Sequence, residues 1–381
     1  MIVSLSQTLP CLSETFIRRE EDAMRGCGEE VLAVAVFGAP EFRLPGGRLS
    51  RATAKAIRLH TQPFPSPALR LRERLRLLRH ARRIDGLAAL LRARPGAVLL
   101  AQFAFLPADV AACAALLAHS PFAVRVHAQD VFAQSPALLR ARLASARWIL
   151  PCSELAASAV REAGLPAERI RVVRHGLDLG DPRLAFRPEN PAEDSLVGVG
   201  RLVPKKGVDV LLRALALSHG PRRLTWIGDG PELEPLRQLA RSLGLAESVR
   251  FAGALPNDET LARLRRANAL VLPSRRLPNG DRDGIANVLA EAMALGVPVV
   301  TTTAGAAAEL VADGTSGLLV EPDSPAALAK AIDSLRSAPP SFRARLVRNA
   351  RATVEASMDA SRNAAALLST LRSIPTSGDT P

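Results

Sequence analysis

Residues 283–320 read DGIANVLAEAMALGVPVVTTTAGAAAELVADGTSGLLV. An apolar stretch at helical spacing, beginning near Asn287, is stopped by Gly296 and Pro298, and the strand-like run VPVVT follows. A second amphipathic stretch, AAAELVADG, then leads into the strand-like GLLV. Working outward, the same alternation fills the second half of the chain. LVGVGR precedes the stretch after Gly207, LTWIG the stretch after Pro231, VRFAG the stretch NDETLARLRRA, and ALVLP the helix at Asn287; SPAALAKAIDSL closes the series. Strands alternating with helices of this length imply a parallel sheet with right-handed crossovers. Such sheets bind ligands beyond the carboxyl ends of their strands.

The first half repeats the rhythm less clearly. Candidate strands are Ile2–Leu5, Val31–Val36, Val98–Ala101, Phe122–His127 and Trp148–Pro151, with Arg171–Arg174 following. The stretch Leu179–Asp194, rich in Pro, Asp, Glu and Asn, reads as a linker. The organisation expected is therefore two Rossmann-like domains around a cleft. Residues 1–185 make the N-terminal domain and 186–355 the C-terminal one. Residues 356–381 form a helix returning to the N-terminal domain, with a frayed tail.

Length and composition suit this plan. A chain of 381 residues with 48% hydrophobic and 23% charged residues can build two cores and is not a disordered sequence. The N-terminus lacks a basic segment ahead of a long apolar run, so no signal peptide is expected. The most apolar region, Gly96–Val124, is broken by Pro107, Asp109 and His119, which argues against a membrane span. Cys11, Cys27, Cys113 and Cys152 are scattered, as buried thiols of a reducing compartment would be, and a cytoplasmic protein is expected. The net charge is +13, and up to Asn190 there are 27 Lys/Arg against 17 Asp/Glu, so most of the surplus lies in the first half. Aromatics at 3% with no Tyr make poor stacking platforms for single-stranded nucleic acid, so no nucleic-acid partner is expected.

Three segments carry chemistry. The free amides at the helix start near Asn287 form an anion site, and the helix dipole favours phosphate there. Glu291, one turn on and on the same face, could accept two hydrogen bonds from ribose hydroxyls. The bland alternative is a solvated helix carboxylate, with Asp283 as an N-terminal cap. In GRLVPKKGVDVLLRALA, Arg201 and Lys206 stand five positions apart on a turn after a strand, where two cations could clamp a diphosphate or could merely be solvated. In VRVHAQDVF, His127 ends an apolar strand, either as a satisfied strand-end histidine or as a ligand contact. Asp281-Arg282-Asp283 is a D-x-D triplet of the kind that ligates a divalent metal elsewhere. The two cations already supply what a metal would, and no metal is expected.

These segments resemble the family-4 retaining glycosyltransferases, which have the two-domain GT-B fold. Asp283 and Glu291 match the two acids that flank seven residues ahead of the family's "AMA-x-G-x-PVV" run, although the family usually has Glu where this chain has Asp283. Arg201 and Lys206 match its "GRL-x-x-x-KG" segment, WIGDGPELEPL its "GxGPxxxxL", and RVVRHGLDL its interdomain "x-x-G-V-D", with His175 at a position that varies. The opening SQTLPCLSETFIRRE and the "HAxD" at His127 resemble the colanic-acid or exopolysaccharide type. The resemblance implies an α/β GT-B protein whose two parallel sheets face a central cleft. It implies a hexosyltransferase, retaining and metal-independent, that needs no cofactor and uses a UDP- or GDP-linked sugar as donor. The backbone of Gly284, Ile285, Ala286, Asn287 and Val288 would hold donor sugar and phosphate, Glu291 the ribose, and Gly228 would let the chain pass close to the base. His127 would touch the donor sugar and act with Arg201, Lys206 and Asp283 in transfer, while Ser13 and Glu14 would face the acceptor. Lys205 is expected to face solvent. Exopolysaccharide assembly uses saccharide or polyprenyl-diphosphate-linked acceptors at the inner face of the cytoplasmic membrane. The helix expected over Arg70–Arg83, RLRERLRLLRHARR, is thus a candidate for peripheral contact with anionic lipid. Two other readings stay open: a non-catalytic GT-B protein that binds membrane or nucleic acid, and a nucleotide-sugar epimerase.

Overall fold

The computed structural model describes residues 1–9, 15–38, 50–186, 195–219 and 223–374. It divides into two compact units, Met1–Gly176 with Ala360–Pro381, and Leu177–Asp359. The N-terminal unit runs β1 (Ile2–Leu9), α1 (Thr15–Gly26), β2 (Val31–Gly38), α2 (Arg51–Thr61), α3 (Pro67–Leu78), α4 (Ala81–Ala93) and β3 (Val98–Gln102). It continues with α5 (Leu106–Ala118), β4 (Phe122–Val126), α6 (Ala128–Phe132), α7 (Pro136–Leu143), β5 (Trp148–Pro151) and α8 (Glu154–Glu162). Its sheet is parallel, in the order β2-β1-β3-β4-β5. Strands β3 and β4 are buried at every position, which is why, Gln102 and Arg125 apart, they read as apolar runs rather than alternating ones.

The C-terminal unit runs β6 (Leu196–Val199), α9 (Val208–Leu217), β7 (Leu224–Ile227), α10 (Leu233–Ser242), β8 (Val249–Phe251), α11 (Asn257–Arg266) and β9 (Ala269–Leu272). It then adds α12 (Asn287–Leu295), β10 (Val299–Thr302), β11 (Leu318–Val320), α13 (Pro325–Ser337) and α14 (Pro340–Ser357). Its parallel sheet has the order β11-β10-β9-β6-β7-β8. Counted from its own first strand this is the 3-2-1-4-5-6 order of dinucleotide-binding domains, whose topological switch point lies between β6 and β9. Fully buried Trp226 on β7 lies over Gly198 of β6, where a Cβ would come within 2.2 Å of the indole.

After the second unit the chain returns: α15 (Ala360–Arg372) packs Leu367, Leu368 and Leu371 with Met24 of α1 and Leu100 of β3. Gly176 makes that return possible, since a Cβ there would lie 2.2 Å from Ala360 Cα.

Three local expectations fail. Arg171–Arg174 is not a regular strand. The amides of Arg171 and Val173 donate to Ile149 and Pro151 of β5, but Pro151 has no amide to complete a ladder. AAAELVADG is a single 3₁₀ turn, Ala307–Glu309, because Gly305 and Gly314 bracket it at positive φ (76° and 64°). The stretch Arg70–Arg83 is not one helix but α3 and α4, separated at Arg79–His80, where the buried His80 ring takes a contact from Arg83 at 3.2 Å. Arg76 does not stand free on its face. It pairs with Glu73 at 2.7 Å and with fully buried Asp109 at 2.5 Å, and Arg142 and His60 reach the same Asp109 at 3.2 and 2.9 Å. That network claims the Glu73–Leu77 side of α3 for the interior. Leu71, Leu75 and Leu78 are left outward at 60%, 52% and 38% exposure.

Candidate active site

The switch point brings the loop after β6 against the loop after β9. Gly207, at φ 61°, makes this contact possible, because a Cβ there would come within 2.0 Å of Pro273 O. Lys206 Nζ lies 2.8 Å from Asp283 Oδ2, and Ser274 Oγ donates to the same oxygen at 2.7 Å. Burial pushes the Asp283 carboxyl up, but the charge and hydrogen bond of Lys206, followed by Ser274 and Lys205, outweigh it and hold the group below its ordinary value. Asp283 is therefore ionised at neutral pH. Lys205 does not face solvent: it is buried, with Nζ 3.0 Å from Asp281 and 4.0 Å from Asp283. Each carboxylate of the D-x-D triplet is thus engaged by an ammonium group.

Beyond Asp283 the chain enters α12, whose residues Val288–Leu295 are all buried. Its N-cap, Ala286, provides no side-chain cap, and Leu289 N donates to Ala286 O at 2.9 Å, which leaves the Asn287 and Val288 amides without an acceptor inside the helix. Glu291 is the carboxylate in this otherwise apolar helix, and Asn257 Nδ2 donates to its Oε1 at 3.4 Å. Asp283 O accepts from Ala306 N at 3.3 Å, and Gly305 leaves room for that turn, since a Cβ there would lie 2.2 Å from Asp283 O. Arg201 is exposed at the end of β6. Gly228 sits against the same loop, where a Cβ would meet Gly200 O at 2.1 Å. Arg201, Lys206, Gly228 and Asp283 thus gather at one end of the sheet with the start of α12. A hollow of about 760 Å³ lined by Leu217, His219, Lys330 and Asp333 lies at the other end of α9 and shares none of these residues.

His127 belongs to the N-terminal unit, directly after β4. Asp130 Oδ2 accepts its amide at 2.7 Å, which fixes the start of α6. Its ring is walled by Phe103 and Phe16, with centroids at 4.3 and 5.1 Å, and lies parallel to His175. Phe103 takes φ 77°, a costly conformation for a bulky residue, and in it the ring rests on His127. His127 Nδ1 is 3.2 Å from His175 Nε2, and its own Nε2 is buried with no hydrogen-bond partner among the described residues. Burial, then the neighbouring His175 and Arg125, depress the His127 imidazole well below its ordinary value, so it is neutral. Among the described residues, His127, Cys152 and His175 form the one group whose ligand atoms could meet at a metal, lying within 4.8 Å of one another. Burial pushes the Cys152 thiol up to about 11, so it is protonated, and the facing imidazole nitrogens already bond each other. Ser13 and Glu14 lie outside the described residues.

Ser274, Asn257 and Gly305 also serve this site without standing out in the sequence. None stands in a motif, and each is brought to its partner by the sheet order. A signal for Asn257 was available in Glu291 itself, since a carboxylate within an apolar helix needs a buried partner.

Residues 185–353 match the family model of the glycosyl transferases group 1. The match lies within the C-terminal unit. Among the proteins the chain is similar to is an Escherichia coli (strain K12) protein named as a colanic acid biosynthesis glycosyltransferase, 35% identical over 212 residues, covering 54% of this chain and 52% of that protein. A GDP-mannose-dependent alpha-(1-6)-phosphatidylinositol monomannoside mannosyltransferase of Mycolicibacterium smegmatis is 39% identical over 150 residues, 38% of this chain and 39% of that protein. The match thus spans about half or less of the length of these curated relatives. Over nearly its whole length the chain is similar to Anabaena HepE, solved with UDP and glucose, at TM-score 0.75 and 22% identity, covering 98% of this chain and 100% of that one. A sucrose-phosphate synthase of Thermosynechococcus elongatus gives TM-score 0.73 at 21% identity, covering 98% of each chain. At such identity the likeness establishes the fold: the chain has the α/β GT-B fold, with a parallel sheet in each unit.

Proposed function

We propose that this protein is a retaining, metal-independent hexosyltransferase. It moves a hexosyl group from a UDP- or GDP-sugar to a saccharide or polyprenyl-diphosphate-linked acceptor in cell-surface polysaccharide synthesis. The observation that carries this reading is the meeting of Lys206, Asp283 and the open first turn of α12 at the switch point of a 3-2-1-4-5-6 sheet. In this reading Arg201 and Lys206 clamp the donor diphosphate and stabilise the charge that grows on it as the glycosidic bond breaks. The amides of Gly284, Ile285, Ala286, Asn287 and Val288 hold phosphate and sugar, Glu291 holds the ribose, and Gly228 lies under the base. Asp283 keeps Lys206 oriented until the diphosphate draws it away. His127 contacts the donor sugar, and Ser13 and Glu14 serve the acceptor. The acceptor hydroxyl attacks from the face the phosphate leaves, and the departing phosphate takes its proton. No cofactor is required. The UDP and glucose of the HepE complex, and the names of the relatives, support this class of donor. Donor-dependent transfer to a lipid-linked saccharide, with the anomeric configuration kept, is the expected result. Conversion of the nucleotide sugar without any acceptor would instead indicate an epimerase, and absence of any turnover a binding protein.

The same reading places the protein at the inner face of the cytoplasmic membrane. Among the described residues no helix is long and apolar enough to cross a membrane. Support for peripheral contact comes from α3, whose outward Leu71, Leu75 and Leu78 recur at i, i+4 and i+7 beside exposed Arg72 and Arg79. Such a face fits an interfacial helix, with apolar residues at the acyl boundary and cations among headgroups. Charge reversal at Arg72, Arg79 and Arg82 should release the protein from anionic liposomes, at about 1 kcal/mol per basic residue lost. Arg76 is unsuited to that test because it belongs to the Asp109 network. Unchanged co-sedimentation would confine α3 to the fold.

A further inference from the structure

The transfer reading leaves three buried polar groups beside His127 without a role. Arg125, on β4 and fully buried, donates through Nη1 to Val173 O at 2.8 Å and Leu150 O at 3.3 Å, which fixes the plane of its guanidinium. Its Nη2 donates to Glu20 Oε2 of α1 at 2.6 Å. Two neighbours with opposite demands then face His175 Nδ1. Arg125 Nη2 lies at 3.3 Å and can only donate, while Glu20 Oε2 lies at 3.5 Å and can only accept. The arginine is nearer, and the carboxylate oxygen already takes the short bond from that arginine. Nδ1 of His175 is therefore the acceptor, and the ring's single proton sits on Nε2. That proton points at His127 Nδ1, 3.2 Å away, which must then be a lone pair. The proton of His127 is left on Nε2, the atom that meets no partner among the described residues. Were His175 protonated, both its N–H groups would donate, to Glu20 and to His127, and His127 would keep the same tautomer.

We propose that His175, oriented by Arg125 and Glu20, is a positioning residue that holds His127 with its proton on Nε2, so that His127 meets its ligand as a hydrogen-bond donor to a sugar oxygen. The role of the tautomer rests on the donor-sugar reading of His127; the tautomer itself does not. Phe16, at 4.6 Å from His175 and 5.1 Å from His127, covers both rings and keeps water from competing with their bond. This explains why a second histidine stands in RHGLDL, a turn that by sequence asks only for Gly176.

Long-range ¹H–¹⁵N spectra of the histidine-labelled protein, assigned with His127→Gln and His175→Gln, read the tautomer directly. The expected spectrum has His127 neutral with the proton on Nε2. His175→Gln, whose amide can still donate to His127 Nδ1, should keep that tautomer. His175→Phe, of similar volume and without a donor, should give mixed tautomers. It should weaken nucleotide-sugar binding about tenfold while leaving binding of the nucleoside diphosphate alone unchanged. A proton on Nδ1 of His127 in the unmodified protein would overturn the assignment, as would unchanged tautomer and affinity in His175→Phe. Should His175→Phe fail to fold, the unmodified protein and His175→Gln decide. If the unmodified protein binds no nucleotide sugar at all, the transfer reading fails, while the spectra still decide the role of His175.

Discussion

Both units bury carboxylates beside cations, but to different ends. In the C-terminal unit Lys206 and Asp283 sit at the carboxyl end of the sheet, part-buried, with Ser274 and Lys205 as supporting partners. An arriving diphosphate can take Lys206 and leave Asp283 with two partners. In the N-terminal unit Arg125 and Glu20 are sealed inside, and Arg125 is spent on two carbonyls, one carboxylate and one imidazole. A ligand cannot replace any of those bonds. The first arrangement is exchangeable and suits binding; the second is fixed and suits orientation.

The largest effect expected from this contrast is on stability. Glu20→Gln leaves Arg125 buried without its counter-charge, which should cost about 3–5 kcal/mol in urea unfolding. The same group gives a pH signature. Burial raises the Glu20 carboxyl, but Arg125 and then His175 more than offset this and hold it below its ordinary value. Its stabilising contribution is therefore full above the unfolded value of about 4.3 and is lost as pH falls through the lowered folded value. Glu20→Gln should remove that share of the acid sensitivity.

Lys206→Ala should behave in the opposite way, with turnover down about 10²–10³-fold. Its loss of stability should fall well short of that in Glu20→Gln, because Ser274 and Lys205 still serve Asp283. Equal destabilisation by the two changes would erase the distinction between exchangeable and fixed charges. Smaller still, Glu291→Ala should weaken nucleoside diphosphate binding about tenfold, the scale of one or two hydrogen bonds to ribose. Calorimetry that finds no change would mean that Glu291 serves the fold and not the ribose.

The same contrast explains what the sequence made legible. The meeting of Lys206 with Asp283 could be read because each side is contiguous: GRLVPKKG carries a strand end, a turn and a helix start, and DGIANVLAE a turn and a helix start. Parallel order then brings the two segments together without further information. Lys205 was misread because two adjacent lysines look alike in sequence, and only the fold turns one toward Asp281. The relay in the N-terminal unit takes Arg125 and His127 from one segment but Glu20 and His175 from two others, and no spacing links the three segments. The inward face of α3 was not legible either, for a related reason. Periodicity shows that leucines and arginines occupy different sides, yet which side turns inward was decided by Asp109, from α5.

Titration of the unmodified protein with UDP- and GDP-hexoses in excess EDTA tests the central claim most directly. Saturable binding of at least one nucleotide sugar is expected without added metal, and its loss when Lys206 and Glu291 are both changed to Ala. Binding by none of them, or binding that appears only on adding manganese or magnesium, would contradict a metal-independent donor site at the β6–β9 switch point.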